Sequence, residues 1–259
     1  RTEEIEAIMT RAMRQTDRYR ALKKEGLNEA AIRKSFNTPV EMQIFSYNGL
    51  IDTVMTPMDS IKWNKHFLRC GFMSMNPING HVKAYVGGPN FSAFQYDMVT
   101  QGKRQVGSTI KPYLYTLAME EGMEPCSLVP NIQPTFYLDN GDVWAPRNES
   151  TKKIGEMVTL RWALSQSNNW ISAYVMSKLN PYSLKKLIHQ FGLLSKDISP
   201  TPSLCLGVCD ASVAEMVSAY TTFVGKGIRT SPLLVSHIED NAGNVVATFS
   251  ATKTEVISE

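Results

Sequence analysis

Over residues 1–35 the apolar positions are sparse, helically spaced and set among charges. "RTEEIEAIM" offers a threonine cap with acids in the first turn, and "KKEGLNEA" marks a break, so helices separated by a turn are expected. Their charge density predicts solvated helices rather than core. The basic run "RYRALKK" reads as a solvated face, with an interdomain or membrane-surface contact as the alternative. "VEMQIFSYNGLIDTVMTP" then changes period and predicts two short strands around the turn signal "YNG". Residues 1–65 are read as a linker or small accessory region, and 66–259 as the main domain.

"CGFMSMNPINGHVKAYVGG" predicts a hairpin, its strands alternating on either side of "PING". A loop leads to "RQVGSTIKPYLYTLAMEEG", a helix in which Pro112 is tolerated because it falls in or near the first turn. Residues 123–155 are rich in Pro, Asn, Asp and Gly and form a long crossing segment; such segments in compact domains are often functional. Helical spacing returns with Leu160, Ala163 and Leu164 on one face, breaks at "SQSNN", and resumes with Ile171, Val175 and Leu179. Further helices are expected at "YSLKKLIHQFG" and "SVAEMVSAYTTFVGKG", and a last hairpin at "LLVSHIEDNAGNVVATFS".

Composition narrows the function classes. With 43% hydrophobic and 20% charged residues, the 259-residue chain can bury a sizeable core. A formal charge of +3 is too small to point to nucleic acid as the main partner. No run of eighteen apolar residues and no signal peptide is found. The four histidines are not paired at ligand spacing, and Cys70, Cys126, Cys205 and Cys209 form no CxxC, so a zinc site is not expected; no other metal and no organic cofactor is called for either. Cys205 and Cys209, in "CLGVCD", could form a disulfide or remain separate buried thiols; the spacing leaves both open.

Chemistry enters with Ser108 and Lys111. Three residues apart on a helix, their side chains share a face. A serine hydroxyl needs a base to become a nucleophile, and a lysine with a lowered pKa can serve. Ser167 could relay the proton and Asn169 could hold a substrate amide, both lying at the break between two helical stretches. Each spacing alone is common. A capping serine followed by a surface lysine, and a polar helix break, would explain them separately.

The surrounding residues decide for chemistry. "RQVGSTIKPYLY", "WAPRN" at 144–148, "VTLRWALSQSNN" and "SLCLGVCDASVAEMVSAYTTFVGKGIRTSPLLVSHIED" together resemble the transpeptidase domain of bifunctional (class A) penicillin-binding proteins, Bacteroidetes-like in character. The resemblance implies an α/β (α+β) fold, an antiparallel sheet flanked by helices as in penicillin-recognising serine enzymes. It implies that Ser108 is the nucleophile, Lys111 its base and Ser167 the proton shuttle, with Asn169, Trp144 and Asn148 binding substrate. It also makes the Ser108 backbone N–H an oxyanion donor. The implied partners are peptidoglycan stem peptides ending in D-Ala-D-Ala, and β-lactams that mimic them. The implied setting is the periplasmic face of a bacterial inner membrane, with an upstream glycosyltransferase domain and a membrane anchor. One departure is plain: no Lys-Thr/Ser-Gly motif is present, and "TKTE" at 252–255 carries glutamate where glycine belongs. The sheet is therefore expected to lack its C-terminal strands and to expose an edge. A D,D-carboxypeptidase or β-lactamase of the same fold, or a catalytically silent binding scaffold, are the rival readings.

Overall fold

A computed structural model describes residues 2–137 and 141–258. The chain divides into two compact units, residues 1–69 and 70–259.

In the first unit, three helices, α1 (Thr2–Arg14), α2 (Asp17–Lys24) and α3 (Glu29–Phe36), are followed by the hairpin β1 (Val40–Ser46) and β2 (Gly49–Met55) and by α4 (Pro57–His66). The caps are local. Thr16 accepts from the Tyr19 N–H, Asn28 from Ala31, and Thr56 from Asp59. The helices are mostly exposed, as their charge predicts, yet they are not wholly solvated. Met13, Ile32 and Phe36 close a small core, with Tyr19, Leu22, Leu27, Met58 and Ile61 packed around it. The i, i+4 pair Ile32 and Phe36 is the apolar stripe that the surrounding charges conceal. Arg18, in the basic run, lies 5.8 Å from the Phe36 ring centroid and donates to Ser35.

The second unit opens with the hairpin β3 (Phe72–Met75) and β4 (Val82–Val86), then β5 (Lys103–Gln105). A 3-10 turn over Gly107–Ile110 runs into α5 (Lys111–Glu120). Next come β6 (Leu128–Pro130), β7 (Phe136–Tyr137), β8 (Val143–Trp144) and β9 (Met157–Thr159). They are followed by α6 (Leu160–Ser165), α7 (Asn169–Ser177) and α8 (Pro181–Gln190). After a second 3-10 turn, Pro202–Leu206, the chain continues as β10 (Asp210–Ser212), α9 (Val213–Val224), β11 (Ile228–Thr230), β12 (His237–Glu239), β13 (Val245–Thr248) and β14 (Lys253–Glu255). Among the described residues all strand ladders are antiparallel and two-stranded: β3 with β4, β5 with β10, β6 with β9, β7 with β8, β11 with β14 and β12 with β13. A parallel bridge from His81 to Leu233 ties the leading hairpin to the C-terminal part. The architecture is mixed α/β.

Pro112 sits in the first turn of α5, where a missing N–H costs little. The rest of α5 is the centre of the core: Tyr113, Leu114, Leu117 and Ala118 are buried against α7 and α8, which contribute Ile171, Val175, Leu184 and Ile188. Leu160 and Ala163 of α6 join them, whereas Leu164 stays exposed beside Pro112 and Met119. Lys253–Glu255, the "TKTE" stretch, pairs along β11. All four cysteines are free, and Cys205 and Cys209 are separate buried thiols. No helix among the described residues is long and apolar enough to cross a membrane.

Candidate active site

Two backbone decisions place the site. The first is at Gly107, whose φ of +54° lies in the left-handed region. This conformation turns the chain out of β5 and into the 3-10 turn that presents Ser108. Gly207 packs directly against it: its carbonyl accepts the Gly107 N–H at 3.2 Å. A Cβ on Gly207 would stand 2.0 Å from the Gly107 carbonyl oxygen, so no side chain fits there. Ser108 is exposed, and among the described residues its hydroxyl makes no hydrogen bond. As a first-turn residue of the helix, it has an N–H with no intrahelical acceptor.

The second decision is at the break between α6 and α7. Ser167 adopts φ +50°, which a residue with a Cβ holds only at a cost on the order of 1 kcal/mol or more. The turn aims both the carbonyl and the hydroxyl of Ser167 at one atom, Lys111 Nζ. That ammonium donates to the Ser167 carbonyl at 2.5 Å, to Ser167 Oγ at 3.0 Å and to Asn169 Oδ1 at 2.7 Å. Three donors thus meet three acceptors.

Lys111 is only 1% exposed, which rules out a surface lysine behind a capping serine. The helix has no side-chain cap at this end either. Burial drags the Lys111 pKa from 10.5 down to about 8, with the nearby Cys205 thiol opposing the shift weakly. Cys205 itself is pushed up to about 12 by the same burial. A buried lysine with its charge half-disfavoured, anchored by a strained turn, is an arrangement that core packing alone does not call for.

Asn169 carries its own supports. Its backbone N–H donates to Asn148 Oδ1 at 3.1 Å and its side-chain amide to the Arg147 carbonyl at 2.9 Å. Asn148 is held in turn by the Ser150 carbonyl, and Trp170 and Gln133 both donate to the Pro146 carbonyl. The "WAPRN" loop is thereby laced to the start of α7. Of the residues singled out in the sequence, Lys111, Ser167, Asn169 and Asn148 form one connected network. Ser108 is joined to it only through the backbone, its carbonyl accepting the Lys111 N–H, and its hydroxyl bonds to none of them. Trp144 stands apart, tilted on Phe136 at 5.0 Å between ring centroids. Sequence reasoning missed Asn131 and Asn168, both fully buried and joined by a side-chain hydrogen bond of 3.0 Å. Among the described residues no cluster of His, Cys, Asp or Glu could hold a metal ion.

Residues 70–259 match the family described as penicillin binding protein transpeptidase domain, and residues 1–68 match the penicillin-binding protein middle domain. The chain belongs to the penicillin-binding protein transpeptidase family. It is 29% identical to penicillin-binding protein 2D of Bacillus subtilis over 91% of its own length and 33% of that protein's. It is 32% identical to penicillin-binding protein 1A of Escherichia coli, over 67% of this chain and 20% of that one. In three dimensions it resembles penicillin-binding protein 1A of Haemophilus influenzae with a TM-score of 0.68 and 26% identity, covering 71% of this chain and 28% of that chain. The chain therefore spans between a fifth and a third of the curated relatives it matches. In this penicillin-binding protein transpeptidase domain, Ser108 lies in the 3-10 turn that leads into α5, Lys111 is the first residue of α5, and the Ser167–Asn169 turn stands at the head of α7; α5 and α7 are both central to the core.

Proposed function

We propose that this chain carries the acyl-transfer centre of a serine D,D-transpeptidase that cross-links peptidoglycan stem peptides. The observation that carries this reading is the burial of Lys111 against Ser167 and Asn169, one helical turn from an exposed serine. With a pKa of about 8, roughly a tenth of Lys111 is uncharged at neutral pH, enough to act as a base. In that form Nζ takes the Ser108 proton while Oγ attacks the carbonyl of the terminal D-Ala-D-Ala amide. The Ser108 N–H donates to the developing oxyanion. The C–N bond then breaks, and the proton passes from Lys111 through Ser167 Oγ to the departing D-Ala nitrogen. An amine from a second stem attacks the resulting ester, forms the new amide and releases Ser108 Oγ, which recovers a proton from that amine. Asn169, fixed by Asn148 and Arg147, lines the edge where the substrate backbone would lie. Trp144 and Asn148 bind substrate in this reading, Asn148 chiefly by orienting Asn169. The setting is the periplasmic face of an inner membrane, and β-lactams occupy the donor position.

Intact mass after incubation with a penicillin tests this directly. We expect an adduct of one penicillin mass on the chain and none on Ser108→Ala. An adduct that persists fits a transpeptidase, rapid loss with antibiotic turnover would indicate a hydrolase, and no adduct on the wild-type chain would favour a silent scaffold.

A further inference from the structure

The amide pair Asn131–Asn168 lies beyond every residue given a role above, and its placement is not that of ordinary core. Asn131 is fully buried in the crossing segment, 37 residues before Asn168. Its side-chain amide donates to the carbonyls of Lys152 (3.0 Å) and Lys153 (2.8 Å). Its backbone exchanges hydrogen bonds with Glu156 and Gly155. Its one side-chain acceptor is spent on Asn168 Nδ2 at 3.0 Å. Asn168 is fully engaged as well: Oδ1 caps α7 through the Ile171 N–H, its N–H donates to Ala163, and its carbonyl accepts from Ser172. Asn168 stands between Ser167 and Asn169, the two residues that supply all three acceptors of Lys111 Nζ. A residue locked on both sides by amide hydrogen bonds prevents its predecessor from relaxing out of a left-handed conformation.

We propose that Asn131 is a positioning residue for this site, which through Asn168 clamps Ser167 in its left-handed turn and so fixes the acceptors around Lys111. The inference rests on the reading of Lys111 and Ser167 as catalytic groups, but the clamp is measurable without catalysis. Cys205 is the titratable neighbour of Lys111, and none of the three variants below alters it. In 15N-labelled protein at pH 6, an ammonium held by three acceptors out of solvent exchanges slowly and gives an observable side-chain resonance. Asn131→Ala should erase that resonance. Leu184→Ala, in the buried part of α8 and chosen as a core lesion of similar melting loss, should keep it. Asn131→Asp retains the acceptor for Asn168 and should restore the resonance even though it too lowers the melting temperature. Where the wild-type chain acylates, Asn131→Ala should slow acylation by about tenfold to a hundredfold and Leu184→Ala should not. Retention of both the resonance and the rate in Asn131→Ala, with only a lower melting temperature, would overturn the proposal. Failure of the wild-type chain to acylate would count against the catalytic reading alone, because the resonance is recorded on unmodified protein.

Discussion

The two units of this chain treat charge in opposite ways. In residues 1–69, Glu29 gathers Arg14 at 3.1 Å, Arg33 at 3.8 Å and the Tyr19 hydroxyl at 2.7 Å, the arginine side chains open to water and Glu29 and Tyr19 half-buried. Those groups hold the Glu29 pKa below its usual value, with the Tyr19 hydrogen bond foremost. In residues 70–259, Lys111 is enclosed by uncharged acceptors and its pKa falls by burial. The first arrangement is cheap to make and adds little, because water screens each partner. The second gives up hydration of a cation for three hydrogen bonds and a strained turn, and stability alone does not favour it. A charge held where it costs the fold something is the better guide to chemistry.

The sharpest test of that contrast is Lys111→Met. We expect penicillin acylation to drop by about a hundredfold or more, the range for loss of a positioned base. Acylation of the wild type should climb with pH and level off above about 8, following deprotonation of Lys111. Stability should move the same way. The folded pKa of about 8 lies below the ordinary 10.5, so between these values the unfolded chain binds the proton that the native chain has released. Melting of the wild type relative to Lys111→Met should therefore improve from pH 8 toward 10.5 and stay flat below 8. Differential scanning calorimetry across that window checks it, and a constant or widening deficit would show that Lys111 is not held against its charge.

How much of this could be read in the chain divides along the range of the interactions. "YNG", "PING" and "DNAGN" each mark a hairpin because turn chemistry is local: Gly49, Gly80 and Gly243 all take positive φ there. Pro112 in a first turn and the serine-asparagine break before α7 are equally local, and both stand where the residues indicated. The small core of the first unit was hidden because three apolar residues among many charges leave a faint period. The Asn131–Asn168 pair was hidden for a different reason. Asn131 and Asn168 lie on segments joined only by tertiary packing, and neither type of residue announces burial. The strain at Ser167 is likewise imposed from outside, since serine has no local preference for φ +50°. The residue types of the candidate site were legible; the burial and backbone strain around them were not.

Glycine substitutions extend the comparison from charge to backbone. Gly207 and Gly26 both take positive φ, +77° and +88°, so an alanine is conformationally disfavoured at each. Their surroundings differ completely. The new Cβ at Gly207 would meet Gly107 backbone atoms at 2.0 and 2.6 Å, whereas at Gly26 nothing lies within 4 Å. Gly26→Ala should then cost about 1 kcal/mol, the left-handed penalty alone. Gly207→Ala should cost about 2–4 kcal/mol and slow acylation as well, because the atoms that must yield belong to the residue preceding Ser108. Denaturant melts of the two variants give the costs, and equal values would mean that the turn before Ser108 is soft.

The smallest effect belongs to the exposed cluster. Glu29→Gln removes the charge that Arg14 and Arg33 face while keeping an acceptor for Tyr19. Because both arginine side chains are open to water and Tyr19 keeps its acceptor, the melting temperature should change by no more than a few degrees, and less in high salt. Acidification should mimic the substitution. The Glu29 pKa is depressed in the fold, so its small stabilisation is present above the ordinary carboxylate range and lost as pH falls through the folded value. A large loss in Glu29→Gln at neutral pH would mean that the cluster braces the core of Met13, Ile32 and Phe36 rather than decorating it. The contrast between the two units would then rest on Lys111 alone.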